Sequence, residues 1–154
     1  MKKINIITTI LITAFSVVTS NITFAEKLYF SEKTPYQVCF TPGQNCTQLI
    51  VDEINHAKKS LYVQAYSFTS APIAKAIVDA KRRGVDVKVI LDKSQIKNNR
   101  YSSAKFLMNQ GVPVWIDYKV SIAHNKIILI DMTTLVTGSF NYTKAAQMII
   151  PPII

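Results

Sequence analysis

The last stretch of the chain holds the residues whose types and spacing could do chemistry. His124 and Lys126 come first, then Asp131, then Gly138, Ser139 and Asn141. An imidazole, an ammonium, a hydroxyl and a carboxamide converging on one point would suit an oxyanion. Lysine supplies a point charge, serine and asparagine supply neutral donors, and glycine lets backbone come close. Histidine is then the candidate nucleophile or proton donor. Strand alternation predicts that His124 and Lys126 share one face, and that Ser139 and Asn141 share a face of the next strand. Asp131 lies seven positions beyond His124, so a regular strand turns it away or leaves it in a turn, as a positioning residue. A helix beginning after Asn141 would aim free N–H groups at the same anion. Ser139, His124 and Asp131 have the residue types of a hydrolase triad, but no G-x-S-x-G elbow surrounds Ser139. Neither a Walker-type loop nor a dinucleotide fingerprint is present.

These residues need a scaffold, and the pattern upstream predicts one. Thr47 reads as the N-cap of a helix with Leu49, Ile50, Ile54 and Ala57 on one face; His56 is a solvated residue on that helix. Residues 60–68 alternate and are rich in aromatic and β-branched types, which predicts a strand. Ser70 and Pro72 open a helix that Gly84 closes, with Ile73, Ala76, Ile77 and Ala80 as its apolar face. A strand over 85–92, a helix over 102–110 stopped by Gly111, and a strand over 112–117 follow. That order predicts an α/β domain with a partly parallel central sheet flanked by helices. Residues 126–130 and 135–140 read as a hairpin joined by "DMTT". The unbroken "IILI" predicts a central strand covered on both faces. Gly43 serves a turn and Gly84 and Gly111 end helices, which leaves Gly138 for the site.

The chain has 154 residues and a net charge of +9, enough for one domain with a surface suited to a polyanion. Clusters occur at Lys81-Arg82-Arg83 and between Lys97 and Arg100. Lys2 and Lys3, an apolar stretch from Ile4 to Val18, and small residues at Thr23 and Ala25 predict a cleaved secretory signal over 1–25. The expected mature domain is 26–154, periplasmic or secreted. Its charge is +7, since removal of 1–25 subtracts two lysines and no acid from +9. In that oxidising setting Cys39 and Cys46, flanking the turn at Pro42 and Gly43, predict a local disulfide. Two cysteines with no histidine nearby make a poor zinc site.

His124-x-Lys126, four residues, Asp131, six residues, then Gly138-Ser139-x-Asn141 resembles the HKD motif of the phospholipase D superfamily. "CFTPGQNC", "YVQAYSFTSAPIAKAI", "GVDVKVILDKSQ" and "IAHNKIILID" resemble its small single-motif bacterial members, the Nuc-type endonucleases. The resemblance implies a phospholipase-D-like α/β fold and a phosphodiesterase acting through a phosphohistidine. His124, Lys126 and Asp131 form the catalytic motif, and Lys126, Gly138, Ser139 and Asn141 hold the phosphate. It implies no metal and no cofactor. With one HKD motif per chain it implies a homodimer, in which His124 is nucleophile in one subunit and acid/base in the other. Nucleic acid, DNA or RNA, is the expected substrate. The alternatives are phospholipid head groups, with no lipid-docking amphipathic helix to favour them, and a non-catalytic remnant that binds polyanions. The match stops after Gln147. Pro152 falls where relatives carry a glutamate that orients the imidazole, so the family's last strand and helix are expected to be missing and activity impaired, unless Glu53 or Asp92 takes that role.

Overall fold

A computed structural model describes residues 29–97 and 102–148. The predicted signal segment and the departure after Met148 lie outside those residues. Residues 29–36 belong to a separate short unit, in which Thr34 N–H donates to Ser31 O at 3.0 Å. All other elements belong to the unit that begins at Gln37.

That unit opens on the Cys39–Cys46 disulfide, present as expected, with the Cα atoms 5.7 Å apart. Helix α1 (Cys46–His56) follows. Its N-cap is Asn45 rather than Thr47, because the Asn45 carboxamide oxygen accepts from Gln48 N–H at 3.1 Å. Thr47 instead sits inside the first turn. His56 is exposed in the last turn, as expected.

Strand β1 (Ser60–Ala65), helix α2 (Ala71–Arg82) and strand β2 (Asp86–Asp92) form a βαβ unit with β1 and β2 parallel. Two short helices, α3 (Ser94–Lys97) and α4 (Ala104–Asn109), lead to β3 (Val114–Asp117), parallel to β2. Strands β4 (Lys126–Ile130) and β5 (Thr134–Thr137) then add an antiparallel hairpin. The sheet order is β3-β2-β1-β4-β5, so the fold is the expected mixed sheet flanked by helices. The core gathers Leu61, Val63, Val87, Val89, Leu91 and Ile128 from one sheet face, with Ile50, Ile54, Ile73, Ile77 and Leu107 from the helices. Each such side chain contributes roughly 1.5–3 kcal/mol by leaving water. On the other face Ile90, Trp115 and Leu135 stay exposed.

Three strand expectations need correction. β1 ends at Ala65 rather than at residue 68. β5 ends at Thr137, so Gly138, Ser139 and Asn141 lie beyond the ladder instead of alternating along it. β4 is not covered on both faces: Ile128 and Ile130 are buried, whereas Ile127 and Leu129 are only half-buried.

Asp131 sets the register of the hairpin against β1. It and Met132 adopt left-handed φ values of 52° and 60°, and Thr133 N–H closes the turn onto Ile130 O at 3.0 Å. The Asp131 carboxylate accepts from the backbone N–H groups of Lys58, Lys59 and Ser60 at 2.9, 2.7 and 2.8 Å. The Asp131 N–H in turn donates to Ser60 O at 2.9 Å. This double grip fixes Leu61 opposite Ile130, and so Ala65 opposite Lys126.

The Ser60, Lys59 and Lys58 amides hold the Asp131 carboxyl below the ordinary carboxylate range. A lowered folded pKa means that protonation favours unfolding. The stability carried by these bonds is therefore complete above about pH 4 and is lost as pH falls through the lowered folded value. Asp131→Asn is expected to lower the thermal midpoint at pH 7 and to flatten the decline in acid. Circular dichroism melts between pH 2 and 7, roughly spanning the carboxylate range, check this. Parallel wild-type and variant curves would show that the carboxylate does not carry the pH dependence.

Candidate active site

His124 and Lys126 come together where β1 ends and β4 begins, the edge at which open α/β sheets place ligands. Lys126 is the first residue of β4 and faces the core side with Ile128 and Ile130. Only 6% of it is exposed. Its Nζ donates to His124 O at 3.3 Å and lies 5.6 Å from the centre of the Tyr66 ring. Among the described residues no carboxylate stands within ion-pair distance of it. Burial pushes the Lys126 ammonium below its usual range.

His124 is not on β4 but in the segment before it, and it is exposed. Its ring meets the Tyr66 ring edge-on, with centroids 4.6 Å apart and planes at 64°. Both expected partners therefore do face one spot, and Tyr66 defines it. The backbone is pinned on either side of the histidine. Ala123 N–H donates to Asp92 at 2.8 Å, and Tyr66 N–H donates to Asn125 O at 2.8 Å. Asp92 is 2% exposed. Burial alone raises its pKa, but the Ser94 hydroxyl and the Ala123 and Ser94 amides outweigh that and leave it lowered. Both its oxygens are committed to backbone, since Ser94 N–H takes the second at 2.8 Å. Asp92 thus positions the histidine segment and does not hydrogen-bond the imidazole. Glu53 lines a surface groove with Val38, Gln48 and Asp52 beside the cystine loop.

Beyond β5 the chain turns at Gly138, whose φ of +149° suits glycine. No atom lies within 4 Å of where a Cβ would stand, so conformation rather than close approach explains the residue. Ser139 is exposed and Asn141 is half-buried. The Asn141 Oδ1 atom is buried with no hydrogen-bond partner among the described residues. Tyr142 O accepts from Thr69 N–H and Ser70 N–H, both at 2.9 Å, which docks this loop on the start of α2. The Tyr142 ring packs edge-on against Phe68 at 6.2 Å, and burial pushes its phenol up. Helix α5 (Lys144–Gln147) follows, capped by the Thr143 hydroxyl.

Asp131 lies at the other end of β4, against Lys58–Ser60. Five residues of strand, about 16 Å at the usual rise, separate it from Lys126. It acts on the site only through the register it imposes. The residues that the spacing did not reveal are Tyr66, Asp92 as a loop anchor, and Gln95, which holds Phe68 N–H at 3.0 Å. Their signal was their place at the C-terminal ends of parallel strands. Among the described residues, no three His, Cys, Asp or Glu side chains are grouped to hold a metal ion. What remains is a buried, unpaired ammonium beside an exposed imidazole with no hydrogen-bond partner of its own among the described residues. Such a pair can hold an anion and attack or protonate it.

This fold and this site define a phospholipase-D-like α/β domain. Residues 50–148 match the family described as "Cardiolipin synthase, PLD-like domain", and the chain belongs to that family. It is 42% identical over 115 residues to a phospholipase D of Rickettsia bellii, covering 75% of this chain and 57% of that one. The chain thus spans little more than half the length of that relative. Among solved structures it is similar to Nuc from Salmonella typhimurium, titled a phospholipase D family member. The identity is 44% and the TM-score 0.61, covering 65% of this chain and 66% of that one. It is also similar to NucT from Helicobacter pylori, at 28% identity and a TM-score of 0.56, covering 64% and 68%.

The lysine gives a direct check of the anion site. A desolvated ammonium without a counter-charge destabilises the empty fold. Lys126→Met is expected to raise the thermal midpoint by a few degrees and to abolish binding of inorganic phosphate, measured by titration calorimetry. A lower midpoint with binding retained would contradict both halves.

Proposed function

We propose that this protein is a phosphodiesterase that hydrolyses nucleic acid through a phosphohistidine, as a homodimer. The observation that carries the reading is the buried Lys126 ammonium with no acid partner, next to His124. A cation in that position needs an anion, and a phosphodiester supplies one. In the proposed first step His124 attacks phosphorus and the bond to the leaving oxygen breaks. The partner subunit's imidazole gives that oxygen its proton. In the second step the same partner imidazole takes a proton from water, the water oxygen attacks phosphorus, and the phosphorus–nitrogen bond breaks. Lys126 offsets the charge that gathers on the non-bridging oxygens. Ser139 and Asn141, on the loop that Tyr142 docks, supply neutral donors to the same oxygens. The net charge, +9 less the two lysines of residues 1–25 and so +7 for residues 26–154, and the likeness to Nuc support a nucleic-acid substrate.

Phospholipid is the second reading. It is favoured by the relative named phospholipase D and by an exposed apolar run, Tyr118, Val120 and Ile122, just before His124. An exported, mature 26–154 chain is the form proposed to act.

Plasmid nicking by the chain in EDTA is the test, with His124→Ala as control. Nicking by the wild type and a loss of roughly a thousandfold or more in the variant are expected, as for removal of a nucleophile. Nicking that survives His124→Ala would sink the mechanism. Choline release from vesicles without nicking would select the lipid reading. Sedimentation of the active species as a monomer would exclude the shared site.

A further inference from the structure

The loop that carries Asn141 is held at its far end by a residue the mechanism does not use. Gln147, the last residue of α5, reaches back to the start of the domain. Its Oε1 accepts from Thr47 N–H at 2.8 Å, and its Nε2 donates to Gln44 O at 2.9 Å. Thr47 lies in the first turn of α1, where backbone N–H groups have no partner inside the helix. Asn45 satisfies the Gln48 amide and Gln147 satisfies that of Thr47, a hundred residues away in sequence. Gln44 lies inside the loop closed by Cys39 and Cys46. One carboxamide therefore joins α5 to both the cystine loop and the N-terminus of α1.

The other end of the segment is fixed as firmly. Tyr142 O receives the amides of Thr69 and Ser70 just before α2, Thr143 N–H donates to Asn141 O at 2.7 Å, and the Thr143 hydroxyl caps α5 by accepting from Ala146 N–H at 3.1 Å. Residues 141–147 thus form a strut with one end at the anion site and the other at the disulfide. No carboxylate or ligand takes part in it.

We propose that Gln147 is a positioning residue for the anion site, and that the Cys39–Cys46 loop is the fixed block against which it positions Asn141. The proposal rests on the phosphodiesterase reading, because it assumes that Asn141 meets a phosphate oxygen. Without the clamp α5 pivots about Thr143, and Asn141 loses its fixed approach. Opening the disulfide frees Gln44 and acts on the same strut from its other end.

The test uses the chain with inorganic phosphate as probe, followed by NMR at the Asn141 side-chain amide and the His124 ring. Gln147→Leu is expected to weaken phosphate by about tenfold, the loss of roughly one well-made hydrogen bond. Gln147→Glu keeps the acceptor for Thr47 and is expected to lose clearly less. Reducing the disulfide should weaken phosphate binding in the wild type but change little in Gln147→Leu, where the strut is already released. Ile54→Val, which destabilises the buried face of α1 without touching the clamp, should bind phosphate as the wild type does. Wild-type affinity in Gln147→Leu, or an equal loss in Ile54→Val, would overturn the proposal and leave the phosphodiesterase reading standing. A wild type that binds no phosphate would remove that reading and the proposal together.

Discussion

The register between β1 and β4 is the constraint on which the site depends, and Asp131 enforces it. Side chains alternate along a strand, so a slip of one residue would carry Lys126 from the buried face to the open one. Hydrophobic pattern alone guards weakly against that slip here. Residues 127–130 are all aliphatic, and either face of β4 could be buried with a similar gain. The carboxylate removes the ambiguity. It collects three consecutive amides at the entry to β1 and presents its own N–H to the carbonyl of Ser60. A motif residue usually grouped with the catalytic pair thus works from the opposite end of the strand.

Fixing the register forces an unfavourable placement. Among the described residues the Lys126 ammonium leaves water without gaining a carboxylate, and its side-chain hydrogen bond goes to the carbonyl of His124. The Tyr66 ring face offers partial compensation, worth on the order of 1 kcal/mol. The surrounding core carries the remainder of the penalty. Such a placement is tolerated only because other parts of the fold exceed what folding requires.

The rest of the site is assembled by backbone, not by side chains meeting in a cavity. Asp92 holds the segment before His124 through Ala123, and Asn125 joins the end of β1 through Tyr66. Tyr142 ties the Ser139–Asn141 loop to the Thr69 and Ser70 amides that lead into α2. Each anchor uses a group left unpaired at an element's end, where a strand stops or a helix has not yet begun. The same economy appears where Gln147 satisfies the start of α1. Pinning loops by their main chains leaves the His124 ring and the Asn141 Oδ1 atom without hydrogen-bond partners among the described residues.

Local sequence by itself determined the α/β order, the disulfide, the bounds of β4 and the HKD spacing. Each rests on period, on composition or on neighbours a few residues apart. The odd separation of Asp131 from His124 left it either facing away or in the turn, and it stands in the turn after β4 with its carboxylate on the amides of Lys58, Lys59 and Ser60. Local sequence failed where tertiary contacts override local preference. Thr47 lost the cap to Asn45 because the helix already begins at Cys46, where the Asn45 carboxamide oxygen accepts from Gln48 N–H. β1 and β5 were read too long, because the aromatic residues Tyr66, Phe68 and Phe140 continue past the point where the ladder ends. Only the tertiary structure decided that Lys126 is buried with no counter-charge among the described residues and that Tyr66 lies beside both it and His124. Only the tertiary structure decided, too, that both Asp92 oxygens are bound to backbone. The reason is physical: a hydrogen bond or an electrostatic penalty depends on what lies across space, and no local pattern records which distant amide or carboxylate will be there.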